Sequence, residues 1–513
     1  MPAFVTHALV LEPTTERTSV RARGCTVVLL VGYLLTATMA GVPGSPLTVL
    51  LPAGARAPGW APALASALGL DTLGRPIQIG LAVGVVALLG IAFAGLAFEA
   101  WSGRVSVRLM ALAAGAALAL GVAAPLLLSR DVYSYADAGR IVVVHHQNPY
   151  AVTIGSSPAD PFVAATSVQW LRHPTVYGPV FTLVSATIVR LGAGSPSTVI
   201  LAFKALAAIA VATAAGCSWG LARVLRPQRA AFAVAVVALN PVVVIHTVGG
   251  GHVDALLGAL LACAAFLAFG VAAPRVPRAL GVTTCLTLAC LVKVVFLPLL
   301  ALWLWQHLRS TRERRRARLA SAHGAVVVGL SGAALAPFAA GWGTFGPLIA
   351  VGGLEWWASP VHLVAHLAAR VAGPAAAGTV NLVVVGGFLA AALVLVIRTT
   401  RRSPASVDSW GATLLVLALA LPFLLPWYAC WFLPFVAVLD DDVLAGVGVS
   451  ASLLLGLTLV PADPFHGLTT PGVMAFVHYI VGPMMLGLLT LTAARTWRIG
   501  GNGRPPPANP RTR

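Results

Sequence analysis

Long apolar runs separated by short polar segments follow one another along nearly the whole chain. The runs are continuous rather than alternating, and many reach the roughly 20 residues that a helix needs to cross a bilayer. An unclosed sheet would leave backbone groups unpaired in lipid, so the pattern favours helices. We therefore predict an all-α polytopic membrane protein with about 12–15 transmembrane helices. The predicted spans are 24–40, 76–99, 109–128, 177–192, 198–222, 230–248, 253–272, 279–306, 321–340, 376–397, 409–425, 427–439, 443–460 and 474–493.

Two parts of this pattern leave an alternative open. The run 279–306 has basic clusters at both ends, so a hairpin of two short helices is an alternative to one long span. If the runs 177–192 and 198–222 both crossed the membrane, the number of crossings would conflict with the sides expected for the basic clusters. The alternative is that one of the two runs does not cross fully. Along the chain we predict a cytoplasmic tail at 1–23, a membrane domain at 24–493 and a basic disordered tail at 494–513.

Charge then fixes the expected orientation. Only 9% of residues are charged, against about 25% in a soluble domain. The net charge of +18 comes from short arginine clusters between apolar runs, which is the positive-inside pattern and not a nucleic-acid surface. It predicts outer segments at 129–176, 249–252, 342–372, 426–428 and 461–473. No soluble catalytic domain is appended, so any chemistry is expected within the membrane or at its outer surface.

The longest outer segment, 129–176, is too polar to span. Its stretch YSYADAGRIVVVHHQNPY predicts an amphipathic helix lying in the membrane interface and ending at Asn148-Pro149. Adjacent histidines point apart on a helix, so His145 and His146 are interpreted as interface residues and not as a metal pair.

Of the 15 acidic residues, Asp71 and Glu99 flank the second span, and the others divide between the two faces. Those on the inner side lie among arginines or in turns, where they balance charge. The run Asp440–Asp442 is interpreted as a solvated inner turn, because no surrounding soluble fold could hold a nucleotide. The outer group comprises Asp131, Asp137, Asp160, Asp254, Glu355 and Asp463.

Asp131 is the most informative of these acids. It follows an apolar run directly, and a carboxylate within a membrane is costly enough that a functional role is the default interpretation. The alternative is a helix-end carboxylate paired with Arg130 or Arg140. Asp137 lies three positions before Arg140, and that spacing predicts a helical ion pair between them.

Six motifs follow one another along the chain: SRDVYSYADAG at 129–139, NPYAV at 148–152, HPTVYGPVF at 173–181, LNPVVVIHTVGGGHVDALL at 239–257, LVKVVFLPLLALWLW at 291–305 and LPWYACWFLP at 425–434. With these motifs in this order, the chain resembles the actinobacterial polyprenol-phosphomannose-dependent α-1,6-mannosyltransferases of the MptA/MptB type, which belong to the GT-C superfamily of membrane glycosyltransferases. One departure is visible at His252-Val253-Asp254, where the family more often has Asn after the histidine.

This resemblance implies a GT-C-type fold with interfacial helices in the outer loop 129–176. It implies a mannosyl donor on a long polyprenyl phosphate, which enters from the outer leaflet, and a growing mannan or lipoglycan acceptor. An acid in the first large outer loop of GT-C enzymes serves as the catalytic base, and Asp131 occupies that position.

The residues make the same chemistry reasonable. Transfer from a lipid-linked sugar phosphate needs a base for the acceptor hydroxyl but no acid for the leaving group, which departs as a stable anion. Donors near the carboxylate, such as the hydroxyls of Tyr133, Ser134 or Tyr135, would keep Asp131 ionised. The departing phosphate needs positive charge or hydrogen-bond donors. The candidates are Arg140, Arg172, His173, His246, His252 and Lys293.

Several of these candidates have a structural alternative. Lys293 could be a snorkelling side chain at a helix end, and Gly249 to Gly251 could form only a tight turn between spans. Aromatic rings suit the apolar faces of sugars, although an aromatic belt also anchors any membrane protein. Near the outer face lie Trp170, Tyr177, Trp356, Trp357, Trp427 and Tyr428.

We therefore predict an inverting mannosyltransferase that uses a polyprenyl-phosphate donor on the outer face of the cell membrane. Its expected partners are the lipid-linked sugar, a glycan acceptor and membrane lipids, without nucleic acid, cofactor or metal. The alternatives are the same fold with arabinose or glucose as the donor sugar, a transporter or flippase, and an inactive scaffold. The predicted base is Asp131, and the predicted substrate-binding residues are Tyr133, Tyr135, Arg140, Arg172, His173, Tyr177, His246, His252, Asp254, Lys293, Trp427 and Tyr428.

Overall fold

The computed structural model describes residues 18–270, 276–339, 356–402, 406–461 and 471–499. Within these ranges the regular structure is helical, with one isolated β-bridge between Thr48 and Leu127 and no strand. Glu12, Glu16, Glu355 and Asp463, and the predicted tails apart from residues 18–23 and 494–499, lie outside the described residues.

The α-helices up to the middle of the chain include both long spans and short interfacial pieces. They are α1 Val20–Met39, α2 Trp60–Ala67, α3 Arg75–Trp101, α4 Val107–Ala123, α5 Asp131–Val143, α6 Val168–Leu171, α7 Pro179–Leu191, α8 Pro196–Leu225, α9 Ala230–Ala238 and α10 Asp254–Phe269.

The remaining helices are broken more often. They are α11 Val276–Val292, α12 Leu297–Arg309, α13 Glu313–Leu335, α14 Pro360–Ala372, α15 Ala377–Arg402, α16 Val407–Leu419, α17 Ala429–Val436, α18 Asp442–Gly456, α19 Pro471–Phe476 and α20 Gly482–Ile499. Single 3-10 turns lie at Leu70–Thr72, Ile154–Ser156, Pro227–Arg229, Val294–Phe296, Ala336–Phe338, Pro374–Ala376 and Pro426–Tyr428, and π-helices at Val242–Val248 and Val477–Val481.

The fold class predicted from the sequence is confirmed. Seven helical segments of the described chain are long and apolar enough to cross a membrane, and seven more are apolar but only 10–17 residues long. The chain is thus a multi-pass membrane protein. The long segments are Val20–Met39, Arg75–Trp101, Pro196–Leu225, Pro227–Val248, Glu313–Phe338, Pro374–Thr399 and Pro471–Arg498.

Both open alternatives can now be compared with the helix bounds. The predicted run 279–306 is two helices, α11 and α12, separated at Lys293 and a 3-10 turn, as the two-helix alternative requires. Helix α7 has 13 residues. At 1.5 Å per residue it is about 20 Å long, too short to cross a hydrocarbon core of about 30 Å alone.

The helix predicted in the outer loop is present, although its surroundings differ from the prediction. Helix α5 ends at Val143, five residues before Asn148, and residues 131–139 are all buried. It is enclosed by other parts of the chain, with α7 packed along it. Gly139 allows this close approach, because a Cβ there would lie 2.6 Å from the Ser185 carbonyl oxygen.

Among the acids predicted on the inner side, Asp440 and Asp442 form ion pairs with arginines. Asp442 Oδ1 accepts from Arg229 Nη2 at 2.8 Å, and Asp440 forms an ion pair with Arg226. Asp441 caps helix α18 by accepting from the backbone N–H groups of Val443 and Leu444. These interactions join the α8–α9 turn to the beginning of α18.

Helices α8, α10 and α17 pack against one another. Helix α10 approaches α17 closely at Gly258, where a Cβ would lie 2.6 Å from the carbonyl oxygen of Cys430. Small residues commonly permit such close packing between membrane helices. This contact brings Asp254, at the beginning of α10, next to Trp431 of α17.

Candidate active site

The segment between α4 and α5 sets the position of Asp131. The Leu127 N–H donates to the Gly249 carbonyl at 3.1 Å, and the Leu128 N–H donates to the Leu47 carbonyl at 3.2 Å. Leu128 adopts a left-handed conformation, with φ at 61°. The chain then turns into α5 with Asp131 as its first residue, where the helix dipole favours a negative charge.

Lys204 holds the same segment from α8. Its side chain is 2% exposed, and its ammonium group donates to the carbonyl oxygens of Ala124 and Pro125. One of only two lysines in the chain therefore fixes the backbone that leads to Asp131.

The carboxylate of Asp131 lies among buried polar side chains. Trp170 donates its indole N–H to Oδ1 at 3.2 Å, and His252 Nδ1 lies 3.8 Å from Oδ2. Burial raises the pKa of Asp131 to about 6, while the Trp170 hydrogen bond and the charge of Lys293 act in the opposite direction. A carboxylate with this pKa can accept a proton efficiently near neutral pH.

His252 lies next to this carboxylate. Its ring stacks on Trp427, with centroids 3.4 Å apart, and its Nδ1 lies 3.2 Å from the Tyr135 hydroxyl. Burial, and then the charge of Lys293, lower the pKa of His252 well below its usual value. The imidazole is thus neutral at pH 7, so of the two roles predicted for it, a positive charge or a hydrogen-bond donor to phosphate, it can fill only the second.

Lys293 provides a cation on the same face. It lies in the break between α11 and α12, and its Nζ donates to Asp254 Oδ1 at 2.8 Å. The same oxygen accepts from the Trp431 indole N–H at 2.8 Å. The ammonium also lies 4.6 Å from the centre of the Tyr428 ring. Lys293 is therefore held in place by a carboxylate and an aromatic face, and it is not a side chain that only snorkels.

The backbone at Tyr177 is joined to the same helix break. The Gly178 N–H donates to the Val292 carbonyl at 2.9 Å, and a Cβ at Gly178 would lie 2.1 Å from the Leu291 carbonyl oxygen. Only glycine permits this approach. Tyr177 is therefore placed beside Lys293, and its hydroxyl lies 3.4 Å from the hydroxyl of Tyr135.

Asp131, Tyr177 and Lys293 border a cavity of about 420 Å³, which is a size typical of small-molecule sites. Its wall is polar at Asp131 and Lys293 and otherwise aromatic or aliphatic. Asp131 also borders a smaller cavity of about 50 Å³ beside Trp356 and Leu459. The large cavity is lined by Asp131, Trp170, Val176, Tyr177, Lys293, Val294, Val295, Val385, Leu389, Leu421, Pro422, Phe423, Leu425, Trp427, Tyr428 and Trp431.

The structure thus brings together eight of the thirteen predicted site residues. Five line the cavity: Asp131, Tyr177, Lys293, Trp427 and Tyr428. Three more, Tyr135, His252 and Asp254, are buried behind it and contact a lining residue. They come from segments far apart in the sequence, which the fold gathers at one end of the helices.

Arg140 is placed elsewhere, and its predicted pairing is wrong. Its Nε donates to Asp160 Oδ2 at 2.6 Å, and His145 Nε2 lies 3.0 Å from the same oxygen. Asp137 instead accepts from the Thr166 hydroxyl at 2.7 Å, and burial raises its pKa well above the usual value. Asp160 reaches Arg140 from the following loop, which helical spacing does not reveal.

Four other predicted residues also lie away from the cavity lining. The Tyr133 hydroxyl donates to the Leu50 carbonyl at 2.8 Å, so Tyr133 joins α5 to the loop between α1 and α2. The Nε2 atom of His246 is 2.9 Å from the Gly456 carbonyl oxygen, at the end of α18. Arg172 is exposed and His173 half-buried, and neither borders the cavity.

Sequence reasoning missed the actual partners of the two charged groups. The hydroxyls of Tyr133, Ser134 and Tyr135 were expected near the Asp131 carboxylate. Their hydrogen bonds go to other groups, and the carboxylate accepts from the Trp170 indole N–H instead. Trp431, which shares Asp254 with Lys293, was not singled out, although it lies in the matched motif LPWYACWFLP.

Comparisons with known proteins bear on this site. A family model described as the N-terminal domain of α-(1→6)-mannopyranosyltransferase matches residues 38–309, more than half of the chain. The chain belongs to this MptA_B family. It is therefore a glycosyltransferase, as predicted. The matched region contains Asp131, His252, Asp254 and Lys293, whereas Trp427 to Trp431 lie beyond it.

Two relatives in this family carry the same name. An α-(1→6)-mannopyranosyltransferase A of Mycobacterium tuberculosis is 26% identical over 370 residues, which cover 67% of this chain and 69% of the relative. A protein of that name from Corynebacterium glutamicum is 29% identical over 178 residues, covering 33% of this chain and 35% of the relative. No solved structure matches the chain.

Proposed function

We propose that this glycosyltransferase moves mannose from a polyprenyl phosphate to a mannan or lipoglycan acceptor on the extracytoplasmic face of the cell membrane, and that it forms α-1,6 linkages. The observation that carries the proposal is that Asp131 and Lys293 border one cavity, so a base and a phosphate-binding cation face the same bound molecule. The family and the names of the relatives support the sugar and the linkage.

Asp131 is the proposed base. The acceptor hydroxyl attacks the anomeric carbon of the donor while Asp131 removes its proton, and the bond from that carbon to the phosphate oxygen breaks. Asp131 borders both the large and the small cavity, so its carboxylate is accessible from each of them. A positioned base typically contributes about 10²–10⁴-fold to the rate.

Lys293 is the proposed contact of the departing phosphate. Its ammonium has three protons to donate, and the structure uses one of them for Asp254. The others can donate to phosphate oxygens, whose negative charge grows as the bond breaks. Asp254 and Trp431 act as positioning residues. Asp254 accepts a hydrogen bond from the ammonium, and the Trp431 indole N–H donates to the same carboxylate oxygen.

The aromatic wall is the proposed sugar contact. Trp170, Tyr177, Trp427 and Tyr428 line the cavity, and rings of this kind pack against the apolar faces of pyranoses. Direct displacement on a β-linked donor inverts the anomeric centre and yields an α linkage. One carboxylate suffices for this step, unlike the paired acids of glycosidases. The proposal uses no metal ion.

The test is a transfer assay with the purified full chain. It is incubated with radiolabelled polyprenyl-phosphate mannose, arabinose or glucose in separate reactions, each with a short α-1,6-mannoside acceptor. We expect transfer only from the mannose donor, with a new α-1,6 bond in the product. Transfer from the arabinose or glucose donor alone would overturn the proposed sugar, and a β linkage would overturn the inverting step.

A further inference from the structure

The cavity has an aliphatic side that the transfer chemistry does not use. Val294 and Val295, between α11 and α12, and Val385 and Leu389 of α15 form this side. A second opening of about 320 Å³ lies between α12 and α15. Its lining is apolar throughout, at Pro298, Ala301, Leu302, Trp305, Leu393, Val396 and Ile397.

The two openings follow the same helix faces. On α15 the lining positions 385, 389, 393 and 396 recur every three or four residues, so they lie on one face. On the facing side, Val294 lies in the 3-10 turn just before α12, and the positions 298, 301 and 305 share one face of α12. From 385 to 396 the rise is about 16 Å, more than half of a hydrocarbon core of about 30 Å. The two openings thus follow one another along the same face of α15, and together they are here called the α12–α15 groove.

The groove is apolar along its length and meets a cation at one end. Leu389, Leu393 and Trp305 are 47%, 51% and 54% exposed, so their side chains are available to a ligand chain. Lys293 lies at the end that opens into the cavity. A molecule with a phosphate at one end and a long hydrocarbon chain matches this order of charge and apolar surface.

We propose that the α12–α15 groove binds the isoprenoid chain of the donor, with its phosphate at Lys293. This inference rests on the proposed function and adds where the lipid lies. It assigns chain-length selectivity to residues that take no part in the chemistry. A short-chain donor reaches the cavity but fills little of the groove, so the groove matters only for a long chain.

The test compares two neighbouring substitutions on α15. Leu393→Trp narrows the groove, and Val394→Trp adds the same side chain at a position that is 55% exposed and does not line it. KM is measured for a long-chain polyprenyl phosphomannose and for geranyl phosphomannose. We expect Leu393→Trp to raise KM for the long-chain donor about tenfold and to leave KM for geranyl phosphomannose and both kcat values unchanged. Val394→Trp should change neither KM.

An equal change of both KM values in Leu393→Trp, or no change in either, would overturn the groove assignment. If the wild-type chain uses neither donor, the proposed function fails, and binding tests the groove separately. A polyprenyl phosphate with a diazirine in its chain should then crosslink to α12 or α15 and be displaced by unlabelled polyprenyl phosphate. Displacement by phosphatidylglycerol at equal concentration would show a general lipid site and overturn the inference.

Discussion

The proton affinity of Asp131 is set chiefly by its burial. Removal from water raises its pKa to about 6, and the Trp170 indole N–H partly opposes that rise by bonding to the charged form. Below this pKa the carboxyl group is protonated and cannot accept the acceptor's proton. Activity that depends on Asp131 should therefore fall as pH decreases through about 6.

Trp170→Phe tests this balance. The substitution keeps the aromatic ring but removes the donor that favours the ionised carboxylate, so the pKa of Asp131 should rise further. In a profile of log kcat/KM against pH, the acidic limb should move to higher pH. The loss of kcat/KM relative to the wild type should be smaller on the alkaline plateau than in the acidic limb.

Trp356→Phe is the matched control for that variant. Trp356 borders the smaller cavity, and its buried indole nitrogen has no hydrogen-bond partner among the described residues. Its acidic limb should coincide with that of the wild type. An unshifted limb in Trp170→Phe would show that the indole does not stabilise the ionised form of Asp131.

Single residues were predictable where charge is rare. A carboxylate after an apolar run and a lysine within another run indicated Asp131 and Lys293, and both line the cavity. Their surroundings were not predictable, because Trp170 reaches Asp131 across 39 residues of sequence, and Trp431 reaches Asp254, the partner of Lys293, across 177 residues. The same limit explains Arg140, whose partner comes from a loop and not from the neighbouring helical turn.

At the scale of elements, the site depends on where helices break. Lys293 lies between α11 and α12, and Trp427 and Tyr428 lie in a 3-10 turn before α17. The sequence allowed a break in 279–306 because basic clusters flank that run at both ends. It did not reveal the π-helix at Val242–Val248, since all of those residues are buried and the only polar ones, His246 and Thr247, are adjacent and mark no period.

Gly178→Ala should separate two of these elements. The added Cβ would lie 2.1 Å from the Leu291 carbonyl oxygen, so α7 must move away from the end of α11. We expect a loss of stability of about 1–3 kcal/mol and a fall in activity, because Tyr177 and Lys293 shift relative to each other. Thermal unfolding in detergent and the transfer assay measure the two effects.

Gly216→Ala is the control within α8. No atom outside its own helical surroundings lies within 4 Å of a Cβ at that position, and alanine favours a helix over glycine. Stability should be unchanged or slightly higher. If the two alanine variants behave alike, the contact at Gly178 does not hold α7 in place.

For the whole molecule, the inner and outer ends were predicted from arginine clusters alone. That orientation stays a prediction; the structure shows that Asp131, His252, Lys293 and Trp427 lie at one site and the ion pairs of Arg226 and Arg229 at another. Continuous apolar runs gave the helical fold class. They could not give the helix count, because seven of the apolar helices are shorter than a full span.

Cysteine labelling tests the predicted orientation. Gln169, in the outer loop, and Gln228, in an arginine cluster, are both exposed. In intact cells a membrane-impermeant maleimide should label Gln169→Cys, and it should label Gln228→Cys only after permeabilisation. The six native cysteines are buried or half-buried, so their background should be low. The reverse labelling pattern would place the cavity on the cytoplasmic side.

The most direct measurement of the central claim is mannosyl transfer by Asp131→Asn, with Asp137→Asn as the matched control. Both acids are buried on α5, but only Asp131 borders the cavity. At equal amounts of folded protein, Asp131→Asn should lose about 10²–10⁴-fold in rate, while Asp137→Asn stays close to the wild type. A wild-type rate in Asp131→Asn would contradict the account, because another group would then be removing the proton.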